Sequence, residues 1–375
     1  MKILYIMSFY PNNPRNIKLI KNLQKEYEVR CCFLASKNQE ILKQNQNDFV
    51  FKSQNISNKF SKMMALFYFY RYIKKVIIDY NPDIIFAYHW ETFVITRLAT
   101  IFNKKTKIIY DISDIPSYSG NIHKILKKIE EFFINSKIFL LYASPYFVKK
   151  YKRFSKNTSF VLNNKPEKEF LEKYLANKKN NTILLASFYG VFRDSEIFKN
   201  IFEALKGLPI LFRMKGSGFQ KKIIEDISKQ YKNVEVGDEF YYKDLPILYG
   251  DVDIIVSLYS NKDENTNLAL GNKFFEAMAL KKIALFPEKT KMGELAKKNS
   301  FGLVVNPYNI QDIRKAFLEI LENSENVKNI RKKLSQIKEE EIFYEYEVKE
   351  FLPILKNFLK NDWNNKKYTI KIRFI

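Results

Sequence analysis

The chain predicts an α/β protein made of two consecutive doubly wound units, and three observations lead there. Short apolar runs of strand length recur along it, separated by helical stretches. This alternation runs to about residue 165, breaks at residues 163–166 (Asn-Asn-Lys-Pro) and starts again. The length of 375 residues suits two domains with separate cores, and a composition of 46% hydrophobic and 16% aromatic residues belongs to a folded chain.

Lys2–Met7 (KILYIM), stopped by Pro11 and Pro14, reads as a buried parallel strand. A helix is expected over residues 16–27 and a strand over 28–34. After the Asn81–Pro82 break come a strand at 83–87, a helix at 92–102, and strands at 107–110 and 137–142. In the second half, residues 182–186, 210–214, 253–258, 283–286 and 302–305 read as strands, with a helix at Ser195–Leu205 and a Gly216-Ser217-Gly218 turn leading into another. Residues 339–359 look helical, and residues 368–375 alternate apolar with basic side chains. The expected domains are therefore 1–165 and 166–340, with 341–375 as a helix and tail crossing back to the first. Ligands of such sheets bind beyond the carboxyl ends of the strands, here the loops after Met7, Ala87 and Tyr110.

Composition narrows the chemistry. The two cysteines, Cys31 and Cys32, are neighbours in an apolar run, a pattern of neither a disulfide framework nor a zinc site. Two histidines exclude a histidine-rich metal site. Residues 1–165 hold 23 Lys and 5 Arg against 11 acidic residues, a net +17 of the chain's +23. A basic half implies a polyanionic partner, and no nucleic-acid module is recognisable, so an anionic membrane surface is the expected partner and nucleic acid is not. Residues 60–80 mix Met, Leu, Phe and Tyr with Arg71, Lys74 and Lys75; they read either as an interfacial helix or as a core-packing helix with a solvated basic edge. No apolar run is long enough to span a bilayer, and residues 1–10 resemble neither a signal peptide nor an anchor. The expected location is cytoplasmic, peripheral on the inner face of the membrane.

The most specific stretch is residues 265–282, NTNLALGNKFFEAMALKK. It turns at Gly271 and enters a helix with Asn272 as the expected N-cap, and Phe275, Met278 and Ala279 on one face. Open N–H groups at a helix start attract anions, Lys273 strengthens the attraction, and Glu276 one turn later suits a sugar's hydroxyls. That is half of a nucleotide site; the alternative is an ordinary capped surface helix.

Taken together, these segments resemble glycosyltransferases of the GT-B type, specifically the retaining glycosyltransferase family 4. The likeness covers the opening strand and the helix that starts near Arg15. It continues through PDIIFAYHWETFVITRLA with IIYDISD, the crossover VLNNKP, FYGVFR and FRMKGSG, and ends in the 265–282 stretch. The resemblance implies two Rossmann-like doubly wound domains facing a cleft, a nucleotide diphosphate sugar as donor, and a glycan or lipid-linked acceptor. It places Glu276 on the donor ribose, Lys273 and Arg193 on the diphosphate, and Asn272, Gly190, Gly216 and Gly218 around the donor. Arg15, Ser113 and Asp114 fall on the acceptor side.

The chain departs from the family pattern at two points. Leu268 stands where many relatives carry a second Glu, and Ser113 where many carry His. His89, at the end of a neighbouring strand, is either the substitute in acceptor activation or a hydrogen-bonded structural residue. Asp111 either contacts acceptor hydroxyls or caps a turn. Asp251-Val252-Asp253 imitates a metal-binding motif but directly precedes a strand, so it reads as scaffold, with no obligatory metal and no cofactor. The expected activity is retaining transfer of a sugar in the assembly of capsule, lipopolysaccharide or a similar bacterial surface glycan. Two alternatives remain: another GT-B enzyme, such as a nucleotide-sugar epimerase, or a non-catalytic basic protein that binds nucleic acid or membrane.

Overall fold

The computed structural model describes residues 1–9, 13–36, 47–53, 59–103, 105–116, 121–179 and 181–360. The chain divides into two compact units, residues 1–163 with 348–360, and residues 164–347. The expected alternation at 368–375 lies outside the described residues.

The first unit is a seven-stranded sheet, entirely parallel. Its strands are β1 (Lys2–Met7), β2 (Glu28–Ser36), β3 (Phe49–Ser53), β4 (Ile84–Tyr88), β5 (Lys107–Ile112), β6 (Phe139–Tyr142) and β7 (Ser159–Val161), in the order β3-β2-β1-β4-β5-β6-β7. Helices cover both faces of such a sheet, so its central strands are apolar without alternation: β4 is buried throughout, and β1 at all but its first residue. The helix Pro14–Leu23 begins two residues earlier than expected because Asn13 caps it and Pro14 fits its first turn.

The helix Lys59–Tyr80 packs Ala65, Phe69, Ile73, Val76, Ile77 and Tyr80 inward, most of them against Leu4, Ile6, Cys32 and Leu34. Arg71, Lys74 and Lys75 are exposed. The inward face of this helix is that of the core-packing alternative, while Phe67, Tyr68 and Ile78 are exposed beside the basic residues, as the interfacial alternative requires. No helix of the described residues is long and apolar enough to cross a membrane. The helix Tyr344–Lys360 returns to this unit, where Phe351 and Phe358 meet Phe139 edge-on and Lys107 donates to the carbonyls of Phe358 and Leu359. A lysine on the last carbonyls is a favourable helix end.

The second unit is a six-stranded parallel sheet. Its strands are β8 (Leu184–Val191), β9 (Ile210–Ser217), β10 (Val234–Gly237), β11 (Ile254–Val256), β12 (Ile283–Pro287) and β13 (Leu303–Val305), in the order β10-β9-β8-β11-β12-β13. The helix Ser195–Leu205 has the expected bounds, set by Asp194, whose side chain accepts from the Glu196 amide. Strand order reverses at β1/β4 in the first unit and at β8/β11 in the second, and ligands of doubly wound sheets bind at such switch points. The sequence reading missed β3, β7 and β10, which are short strands on sheet edges or beside them and too brief for a clear period.

Candidate functional site

In the second unit the helix Asn272–Leu280 opens at the carboxyl side of the β8/β11 reversal. Asn272 is its first residue and not its cap: Gly271 occupies the cap position with extended backbone, and no side chain caps the first turn. Lys273 is 6% exposed, and its ammonium donates to the Tyr259 hydroxyl at 2.6 Å. The same nitrogen lies 4.3 Å from the Phe188 ring centroid and 5.1 Å from that of Tyr259, within cation–π range of both. A Cβ on Gly190 would stand 2.6 Å from it. Thus β8, the loop after β11 and the helix start converge on one lysine side chain, and Gly190 is the clearance that admits it.

One turn further, Glu276 is 3% exposed and accepts from the Tyr249 hydroxyl at 2.9 Å. Burial, and then the Glu276 charge, hold the Tyr249 phenol well above its ordinary range, so it stays a donor. Both helix residues are buried side chains with aromatic hydroxyl partners, unlike the ordinary capped surface helix that was the alternative.

Gly216 and Gly218 serve the sheet. Gly216 pairs in register with Gly190, has φ +150°, and a Cβ on it would meet the Gly190 carbonyl oxygen at 1.8 Å. At Gly218, with φ +142°, a Cβ would stand 2.3 Å from the Phe192 oxygen. The two glycines let the end of β9 press against the end of β8, which holds Gly190 in place. Arg193 is exposed between β8 and the following helix. Its neighbour Asp194 accepts from the Tyr308 hydroxyl at 2.8 Å, and Ser260 donates to that same hydroxyl, so the loops after β8, β11 and β13 are tied together.

Asp251 and Asp253 are engaged by protein groups. Arg213 donates to Asp251 at 2.8 Å and the Leu185 amide to Asp253 at 3.0 Å, which agrees with the scaffold reading.

In the first unit the expected acceptor-side residues separate into two kinds. Arg15 and Asp111 are both 0% exposed and form a bidentate pair, Nη2 to Oδ1 at 2.6 Å and Nε to Oδ1 at 2.9 Å. Tyr5 donates to the other oxygen of Asp111 at 2.9 Å, and Arg15 also reaches the Leu162 carbonyl. Neither alternative for Asp111 holds: its carboxylate neither faces an acceptor nor caps a turn, because it lies within β5 and neutralises a buried guanidinium. Arg15 likewise presents no exposed group. Ser113 is buried beside Tyr88.

His89 and Asp114 are brought together at the carboxyl ends of β4 and β5. Their Nε2–Oδ2 distance is 4.0 Å, with the side chains 25% and 45% exposed. His89 has φ +72°, a conformation uncommon for a residue with a Cβ and one that concentrates at functional sites. Ser8, after β1, donates to Glu91 at 3.4 Å beside this pair.

Sequence reading found Lys273 and Glu276 but missed Tyr259, Tyr249 and Phe188, the groups that hold them. Phe188 opens the FYGVFR segment, but no motif marks Tyr249 or Tyr259, and nothing along the chain shows which of these aromatic groups meet Lys273 and Glu276.

Comparison with known proteins is informative at this point. Residues 166–337 match the family model described as glycosyl transferases group 1. No curated protein matches the chain closely enough to count as a relative. Among solved structures, sucrose-phosphate synthase from Thermosynechococcus elongatus is similar with TM-score 0.72 and 12% identity, over 95% of this chain and 98% of that one. Anabaena HepE in complex with UDP-glucose is similar with TM-score 0.68 and 13% identity, over 95% and 100%. The UDP-GlcNAc 2-epimerase from Neisseria meningitidis, bound to UDP-GlcNAc, is similar with TM-score 0.65 and 15% identity, over 95% and 100%. Residues 166–337 thus match the glycosyl transferases group 1 model and the chain has the two-domain GT-B fold, which together support a glycosyltransferase.

Proposed function

We propose that this protein is a retaining glycosyltransferase of the family 4 type. It would move a sugar from a nucleotide diphosphate sugar to a lipid-linked glycan on an anionic membrane surface, in the assembly of a bacterial surface polysaccharide. The observation that carries the reading is the seating of Lys273. A buried ammonium oriented by Tyr259 and Phe188, with clearance at Gly190, stands at the strand-order reversal of a sheet, one helical turn before a buried carboxylate. A diphosphate accepts charge-assisted hydrogen bonds from such a lysine, and a ribose donates to such a carboxylate.

In this reading Lys273 and the exposed Arg193 stabilise the charge that grows on the leaving nucleoside diphosphate as the glycosidic bond breaks. Their fixed orientation is worth more there than in water. Asn272 offers first-turn amide to the same anion. In the first unit His89, oriented by Asp114, contacts the acceptor hydroxyl. Attack from the face of the departing phosphate retains the anomeric configuration without a protein nucleophile, and no obligatory metal is required. The UDP-sugars bound by HepE and by the epimerase favour a nucleotide sugar as the donor.

A second reading, a nucleotide-sugar epimerase, is favoured by the epimerase of the same fold. One experiment tests both. Nucleoside diphosphates are screened for thermal stabilisation of the full chain, and the matching nucleotide sugars are then incubated with and without extracted glycolipid. Sugar transfer only when acceptor is present supports the transferase. An isomerised nucleotide sugar formed without acceptor establishes the epimerase instead, and stabilisation by no nucleotide overturns both.

A further inference from the structure

We propose that the outer face of the helix Asn121–Phe133, continued by the end of the helix His89–Ala99, seats the first unit on an anionic lipid bilayer. The inference rests on the membrane-surface reading above and gives that surface a place on the molecule.

The helix is amphipathic in the wrong sense for solvent. Its exposed positions are Lys124, Ile125, Lys128, Ile129 and Phe132, which at 3.6 residues per turn form one stripe. On the opposite face it buries Glu130 completely, where Tyr110 and Tyr151 donate to the carboxylate. A helix that hides a glutamate and presents two isoleucines and a phenylalanine has a partner outside the unit.

The neighbouring helix adds to the same surface. Arg97 donates to the Phe133 carbonyl at 3.1 Å, which brings the two helix ends together. Beside that link Leu98, Ile101 and Phe102 are exposed, Phe102 at 93%, matched across the link by Phe132 at 81%. Six large apolar side chains make a patch of roughly several hundred Å², beyond what isolated surface residues require.

Charge selects lipid over protein as the occupant. Lys105, Lys124, Lys127 and Lys128 flank the apolar residues, in a half of the chain that carries a net +17. Lysine is depleted from protein–protein interfaces, whereas lysines beside isoleucine and phenylalanine are the composition of a helix lying in the headgroup region of anionic lipid. In a parallel β–α unit the helix runs back along its strand, so Lys124 and Ile125 lie toward the carboxyl ends of the strands, the side of His89 and Asp114, and Phe132, Leu98, Ile101 and Phe102 toward the amino ends.

The test is flotation of the full chain with phosphatidylcholine vesicles, with and without phosphatidylglycerol. It compares the native protein with a Phe102→Ser/Phe132→Ser variant and a Lys124→Glu/Lys128→Glu variant. The expected result is binding that needs phosphatidylglycerol, weakened roughly tenfold or more by the double serine variant and abolished by the charge reversal. Unaltered thermal melting and nucleotide-induced stabilisation would show both variants folded. Equal flotation of all three proteins, or binding indifferent to phosphatidylglycerol, overturns the assignment. So does a dimer in light scattering that the serine variant dissociates while vesicles bind nothing, since the face then joins two copies. Because nucleotide binding is read separately, loss of the bilayer result leaves the donor site standing, and the reverse also holds.

Discussion

Substituting Gly190 by Ala isolates the feature on which the proposed donor site depends. The added methyl carbon would stand 2.6 Å from the Lys273 ammonium, 3.5 Å from the Tyr259 hydroxyl and 3.6 Å from the Phe188 ring. Only the first contact is too close, and it involves the end of a flexible side chain. The backbone at Gly190 needs no left-handed conformation, so the fold tolerates the change, and stability should move by less than about 1 kcal/mol. The lysine must retreat, losing its 2.6 Å hydrogen bond and its place over the two rings. A charged hydrogen bond is worth about 1.5–3 kcal/mol, so nucleoside diphosphate affinity should fall roughly ten- to hundredfold. Calorimetric titration of the stabilising nucleotide reads that affinity, and thermal melting reads the fold. The control is Gly216→Ala, whose methyl carbon would lie 1.8 Å from a backbone oxygen at φ +150°. That variant should lose several kcal/mol of stability. Undiminished nucleotide affinity in Gly190→Ala, with an unchanged melting temperature, would refute the assignment of Lys273 to the diphosphate.

Other expectations follow from the same contacts. Lys273→Ala should lower turnover by about two to three orders of magnitude with a melting point near native, and transfer kinetics at saturating donor check this; a merely structural lysine would lower the melting point and leave turnover alone. Tyr259→Phe removes one hydroxyl and keeps the ring, so donor KM should rise several-fold at nearly constant kcat. Asp111→Asn leaves the Arg15 guanidinium buried without its countercharge and should cost about 3–5 kcal/mol in denaturant unfolding, while the folded fraction keeps its nucleotide affinity. Burial pushes the Glu130 carboxyl up to about 6, despite the two tyrosines that favour its charge. The unfolded carboxyl releases its proton at lower pH, so the native state holds more protons between these values and its stability falls as pH rises from about 4.5 to 6. Glu130→Gln should remove that loss and gain up to about 2 kcal/mol on the native protein at pH 7 relative to pH 4; equal pH dependence of the two melting curves would contradict the buried, raised carboxyl.

Much of the fold was legible because buried parallel strands are apolar on both faces. KILYIM, DIIFA and KIIY need no partner to be recognised, and helix Ser195–Leu205 announces its start through Asp194. Edge strands such as FVFKS and VEVG escaped because they are short and half-solvated, with weak periodicity. The stretch at 265–282 was readable as a helix start carrying Lys and Glu, since spacing alone puts those groups on one turn. Its N-cap was misassigned to Asn272: the chain turns at Gly271, and local propensity for Asn does not decide which residue leaves helical geometry first.

Charge distribution, the two-unit plan and the positions of Lys273 and Glu276 are properties of local order along the chain, and so the amino-acid sequence was enough for them. Tertiary structure alone decided which polar residues are sealed in the scaffold and which stay accessible. Arg15 was expected on the acceptor side, and Asp111 as an acceptor contact or a turn cap, yet the two, 96 residues apart, neutralise each other in the core. His89 and Asp114 stayed accessible at the carboxyl ends of β4 and β5, and the end of one helix joined the exposed stripe of the next in one apolar face. Desolvation is the reason: whether a charge becomes scaffold or site depends on what surrounds it in space, and those neighbours come from distant segments.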